Sequence, residues 1–139
     1  SERRGVGTGS RSGRSPGHHT TYEVDAMGVI QYSSSRHGSI TLIHIGGSLD
    51  AETSPKLDAK LKGEIEKGAK KIICNLERLD YIASAGLGVL ISANDILRKH
   101  GGELRIAAMN DKIRKIFKLL GFINLFKVFE DDRTAMDSF

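Results

Sequence analysis

Residues 75–88 read Asn75-Leu76-Glu77-Arg78-Leu79-Asp80-Tyr81-Ile82-Ala83-Ser84-Ala85-Gly86-Leu87-Gly88. They follow the apolar run Ile72-Ile73-Cys74, which, carried on to Leu76, has the pattern of a strand covered on both faces. On the other side, Leu87, Leu90, Ile91 and Leu97 recur at helical spacing with Val89, Ala93 and Ile96 beside them. That spacing predicts a helix over 85–99, closed by Arg98-Lys99-His100 and Gly101-Gly102. The chain therefore passes from a central strand, through a connection over 77–83, into a helix, and Ser84 stands at the junction. Free backbone N–H groups and the positive end of a helix dipole meet at such a junction, so a negative group on Ser84 would be well received.

Working outward, Val29, Ile30 and Tyr32 open a first strand and residues 39–45 form a second, with Arg36-His37-Gly38 as the turn of an edge hairpin. Ser54 as N-cap and Pro55 in the first helical position open a helix that runs to about Gly68, with Leu57, Leu61 and Ile65 as its core stripe. Downstream come a strand over 103–108, a helix over 111–120 capped near Asn110, a short strand over 125–129 and a terminal helix over 131–139. Strands alternating with helices imply right-handed crossovers. The expected fold class is α/β: a mixed, mostly parallel sheet of about five strands with an antiparallel N-terminal hairpin and three to four helices. The organisation read from composition is a disordered, basic Gly/Ser/Arg-rich tail over 1–21 and one domain over 22–139, its core starting at about 28.

A chain of 139 residues holds one ordinary core. The net charge of +4 is dispersed: sixteen Lys/Arg face fourteen Asp/Glu from Ile40 to Phe139. Arginine and glycine concentrate only in the tail, at Arg3-Arg4-Gly5 and Arg11-Ser12-Gly13-Arg14, with no aromatic between them, so direct nucleic-acid binding is not expected. No run approaches the ~18 apolar residues of a membrane span, and no membrane contact is expected. Cys74, the single cysteine, lies in an apolar run, which fits packing, a reducing compartment and a cytoplasmic location. Residues 1–17 contain only Val6 as a hydrophobe and lack the apolar core of a signal peptide.

Ser84 has a simple explanation as a helix N-cap, which contributes ~1 kcal/mol. Gly86 and Gly88 in the next turn each cost up to ~1 kcal/mol relative to alanine, and that cost calls for a close approach by another backbone, a nucleotide or a partner protein. A hydrolase elbow of the form Gly-x-Ser-x-Gly is only half present, because Ile82 occupies the first glycine position. The histidines and lone cysteine form no zinc pattern, and Ile91 stands where a dinucleotide fingerprint needs its third glycine, so no catalytic residue, metal or cofactor is expected. Asp50 and Asn75 end their strands on the edge that also holds Ser84, where α/β sheets gather functional residues.

Two segments resemble the STAS domain and, within it, bacterial anti-sigma factor antagonists. Gly46-Gly47-Ser48-Leu49-Asp50 is similar to the family's Gly-x-Leu-Asp motif, and 75–88 is similar to its strand, loop and Asp-Ser-Ser-Gly-Leu-Gly signature. The resemblance continues through Gly101-Gly102-Glu103-Leu104 and Leu120-Gly121-Phe122, covering roughly 28–139. It implies that Ser84 is a phosphoacceptor for an anti-sigma factor with serine kinase activity, reversed by a Ser/Thr phosphatase. Unphosphorylated protein would bind the anti-sigma factor and free a sigma factor for transcription. The resemblance implies no enzymatic activity of the chain itself. Asp50, Asn75, Ala83, Ala85, Gly86, Leu87 and Gly88 would form the phosphosite surroundings and docking surface of a monomer or weak dimer. Ala83 replaces the signature's aspartate and Ala85 its second serine. Ala83 leaves an alternative open: a STAS scaffold or accessory subunit, in a stress-signalling assembly or lipid-transport complex, that docks partners without phosphorylation.

Overall fold

In the computed structural model of the chain, residues 20–24 and 30–139 are described, with side chains from Glu23 onward. The elements are β1 (Thr20–Val24), β2 (Ile30–His37), β3 (Ile40–Leu49), α1 (Ser54–Glu66), β4 (Lys71–Asn75), β5 (Leu79–Ile82), α2 (Ser84–Lys99), β6 (Glu103–Ala107), α3 (Asp111–Leu119), β7 (Val128–Phe129) and α4 (Asp132–Asp137). The strands form one sheet in the order β1-β2-β3-β4-β6-β7, with β5 paired to β3 off that path. β1, β2 and β3 are antiparallel neighbours, whereas β4, β5, β6 and β7 run parallel to the strands they join. The α/β class with an antiparallel entry hairpin is thus observed, with seven strands in place of about five. The expected tail over 1–21 lies outside the described residues except for Thr20 and Thr21, which open β1, and Val29 lies outside them also.

β3 is the long strand on which the others are arranged. Its first half pairs with β4 from Ile40↔Lys71 to His44↔Asn75, and its last three residues pair with β5, from Gly47↔Leu79 to Leu49↔Ile82. The register shifts between Gly47 and Ser48, and Gly47 adopts φ 94°, a conformation that L side chains rarely adopt. β5 therefore carries the chain beyond the end of β4 and lifts Ser84 clear of the sheet. The connection is held from below by Asn110, whose side-chain amide donates to the carbonyls of Glu77 (2.9 Å) and Leu79 (2.8 Å) while its oxygen caps α3 at the Ile113 N–H (2.9 Å).

One sheet face packs against α1, α2 and α3. Leu57 and Leu61 from α1, Leu87, Leu90 and Leu97 from α2, and Ile113 and Phe117 from α3 bury completely against Ile43, Ile72, Cys74, Leu104 and Ile106. The opposite face carries a smaller cluster of Leu42, Ile73 and Ala107 covered by Ala135, Met136 and Phe139 of the C-terminal segment. β4 is thereby buried on both faces, as its apolar run predicts. α4 is pinned at each end: Asp132 accepts from His44 and Asn75 (both 2.8 Å), and Arg105 donates to Ser138 Oγ (2.6 Å) with its guanidinium 3.9 Å above the Phe139 ring. Ser54, expected as the N-cap of α1, is instead its first helical residue with Thr53 at the cap, because the turn at Asp50 fixes Thr53 and draws the Ser54 N–H onto the Asp50 carbonyl at 2.9 Å.

Candidate functional site

The junction singled out by sequence opens onto solvent. Ala83 is the N-cap of α2, extended at φ −92° and ψ 172°, and Ser84 is the first helical residue, not the cap. Ala83 is anchored by its N–H to the Leu49 carbonyl at 2.7 Å, and its own carbonyl accepts from Gly86 and Leu87. No side chain caps the helix, and the N–H groups of Ser84 and Ala85 have no acceptor among the described residues. The Ser84 hydroxyl is therefore exposed beside two open backbone donors at the positive end of a 16-residue helix.

Residues of the proposed docking segment divide by burial. Ser84, Ala85 and Gly88 are exposed, whereas Gly86 and Leu87 are buried. A Cβ on Gly86 would lie 2.9 Å from Leu49 Cβ and 3.0 Å from Ile82 Cγ1, so the close approach that Gly86 permits is to the chain's own β3 and β5. Apart from the helix's own backbone, nothing described lies within 4 Å of a Cβ on Gly88, which leaves this glycine as a flat, open element one turn into α2. Tyr81, half exposed at 49% and paired in register with Ser48, belongs to the same edge and was missed from sequence. An exposed tyrosine three residues before the serine was the available signal.

Asp50 follows Leu49 directly and so lies on the Ser84 edge. Its Oδ1 accepts the N–H groups of Glu52 (2.9 Å) and Thr53 (3.0 Å), and the Thr53 N–H bond is the main cause holding its carboxyl below the ordinary 3.8. The Thr53 hydroxyl donates to the Ser48 carbonyl (2.7 Å) and accepts the Asp50 N–H (2.9 Å). Asp50 is thus first a turn residue.

Asn75 does not join this group. It pairs with His44, five residues before Leu49 on β3, which places it about 16 Å down the strand from the Ser84 junction. Its amide donates to Asp132, its oxygen accepts from the Glu77 N–H (2.9 Å), and it is 4% exposed. Its strand parity directs it to the α4 face, beside a cavity of about 400 Å³ that it lines with Gln31, Ser33, His44, Gly46 and Arg78. The sequence expectation that Asn75 shapes the Ser84 environment is corrected: it fastens α4. Among the described residues no group of three His, Cys, Asp or Glu side chains is arranged to hold a metal ion, and no helix is long and apolar enough to cross a membrane.

Residues 31–135 match the STAS domain family. The chain belongs to that family. It is 33% identical over 88 residues to the anti-sigma-B factor antagonist of Staphylococcus aureus, covering 63% of this chain and 82% of the relative. A protein of Bordetella bronchiseptica with the provisional name anti-sigma factor antagonist BtrV is 32% identical over 93 residues, 67% of this chain and 80% of its own length. In three dimensions the fold is that of the anti-sigma factor antagonist SpoIIAA in its unphosphorylated form, with TM-score 0.67 and 24% identity over 77% of this chain and 94% of SpoIIAA. The STAS fold also places the sheet edges in a common frame, and in this member the two edges differ in charge. At the C-terminal ends of the parallel strands stand Asp50, Glu52, Glu77, Asp80, Asp111, Glu130, Asp131 and Asp132 against Lys56, Arg78, Lys112 and Arg133. At the opposite edge stand Arg36, Lys67, Lys70, Lys71, Arg98, Lys99, Lys118 and Lys127 against Glu64, Glu66 and Glu103.

Proposed function

We propose that this STAS protein is an anti-sigma factor antagonist whose docking to an anti-sigma factor is controlled by phosphorylation of Ser84. The observation that carries the reading is an exposed serine in the first turn of α2 beside two unpaired N–H groups. A phosphate adds about −1.5 to −2 charges at pH 7 and three acceptor oxygens. Those open donors can hold it without refolding the domain, while its bulk obstructs a partner seated over Ala85, Gly88 and Tyr81. The edge is already rich in carboxylates, so the partner surface it suits is basic, and added negative charge on Ser84 draws on the same attraction unless it clashes sterically. The switch is therefore steric and local: the hydroxyl form fits against the partner and the phosphate form does not. A serine kinase adds the group and a Ser/Thr phosphatase removes it.

Incubation with the cognate anti-sigma kinase and ATP is expected to add one phosphate, lost in Ser84→Ala. Ser84→Asp is expected to weaken anti-sigma binding by at least about tenfold, while Ser84→Ala stays near the unmodified protein. Equal affinities of the two variants remove Ser84 from the interface. Ala83 and Ala85, which replace the acid and second serine of the family signature, favour a second reading as a scaffold that docks partners without phosphorylation. Under that reading the kinase adds nothing, and affinity purification from the native cell returns a partner with no kinase domain.

A further inference from the structure

The edge opposite Ser84 carries the most exposed large apolar side chain among the described residues. Leu119, at the end of α3, is 85% exposed, and Leu120 and Leu125 beside it are 43% and 49% exposed. These leucines lie on the end of α3 and the loop that follows, exposed to solvent. Lys115 stands one helical turn before Leu119, Lys118 immediately before it, and both are exposed with no ion-pair partner among the described residues. Exposed leucines beside unpaired lysines have the composition of interfacial membrane contacts, in which apolar side chains enter the headgroup boundary and cations meet anionic lipid. A second copy of the chain does not fit through this surface symmetrically, since like charges would meet.

We propose that this basic edge, centred on Lys115, Lys118, Leu119 and Leu120, is a peripheral docking surface for anionic lipid. The expectation of no membrane contact rested on the lack of a spanning segment, which does not bear on peripheral attachment. β3 has ten residues and extends about 30 Å, so a chain lying with this edge on a bilayer holds Ser84 at the far side, in water and accessible. Lipid docking and partner docking then occupy separate surfaces.

The test is co-sedimentation of the full chain with vesicles of equimolar phosphatidylcholine and phosphatidylglycerol, and with phosphatidylcholine alone. Binding is expected to the mixed vesicles, weakening as salt rises, and not to the neutral ones. Lys115→Gln and Lys118→Gln are each expected to weaken it about fivefold. The Leu119→Ser/Leu120→Ser variant alters only exposed positions and is expected to stay folded, by circular dichroism, while losing most of the binding. No binding to mixed vesicles at low salt overturns the proposal and assigns the edge to an acidic protein surface. Undiminished binding of the leucine variant overturns it equally, because attachment then comes from the arginine-rich N-terminal residues. Ser84→Asp leaves vesicle binding unchanged, so failure here and failure of the partner switch are read separately.

Discussion

Replacing each of the two glycines in the first turn of α2 by alanine separates packing from propensity. Both are helical, so each substitution gains up to ~1 kcal/mol of helix propensity. At Gly88 nothing opposes that gain, because apart from the helix's own backbone no described heavy atom lies within 4 Å of the new Cβ, and Gly88→Ala is expected to stabilise by roughly 0.5–1 kcal/mol. At Gly86 the new methyl meets Leu49 Cβ at 2.9 Å and Ile82 Cγ1 at 3.0 Å, where ordinary contacts begin at 3.4 Å. Leu49 Cβ is fixed to its strand backbone, and both residues are fully packed, so neither yields without moving α2 off the sheet. Overpacking of that kind costs about 1–3 kcal/mol, which leaves Gly86→Ala about 1 kcal/mol less stable than the parent after the propensity gain. The two variants thus differ by about 2 kcal/mol, or roughly 1 M in urea midpoint for a domain of this size. Urea unfolding followed by circular dichroism measures this directly. Equal midpoints would refute the assignment of Gly86 to internal packing. Partner binding adds a second axis: Gly88→Ala, though stabilised, is expected to bind the anti-sigma factor more weakly if its methyl stands on the docking surface proposed above.

Asp132→Ala removes the acceptor of His44 and Asn75, and is expected to cost about 1–2 kcal/mol and to raise hydrogen exchange in α4 while α2 stays protected; uniform exchange across both helices contradicts the pinning role. Cys74 is fully buried and burial pushes its thiol up to about 12, so a thiol reagent at pH 8 is expected to label it only at the rate of unfolding, and rapid labelling of the folded protein counts against the packing shown. Asp50 and Asp131 are both held below 3.8 mainly by the backbone N–H groups of Thr53 and Thr134. Their contribution to stability is complete above the unfolded value and is lost as pH falls through the lowered folded values. Asp50→Asn, which keeps the Oδ1 acceptor, is expected to flatten the acid limb of the unfolding midpoint against pH; an unchanged limb removes Asp50 from it.

β5 was absent from the sequence reading, which gave 77–83 as a connection. Leu79-Asp80-Tyr81-Ile82 has the burial order in, out, out, in, which follows no strand period, and its strand character comes from pairing with the part of β3 that outruns β4. β1 was missed for a related reason, since its five residues adjoin a polar segment and gain their pairing from β2. The turn at Asp50 was legible as a strand ending, but its capture of Thr53, which shifts the start of α1, depends on three hydrogen bonds that no spacing records.

By itself, the sequence determined the order of every element but β1 and β5, the apolar stripes of α1 and α2, the doubly buried β4 and the serine between strand and helix. All of these rest on periodicity and end signals carried within a dozen residues of chain. Tertiary structure alone decided that Gly86 faces inward while Gly88 faces out, and that Asn75 serves α4 at a distance from Ser84. It also decided that acids gather at one sheet edge and cations with leucines at the other. Each depends on which distant segment lies against a residue, a property of register and crossover that local spacing does not contain.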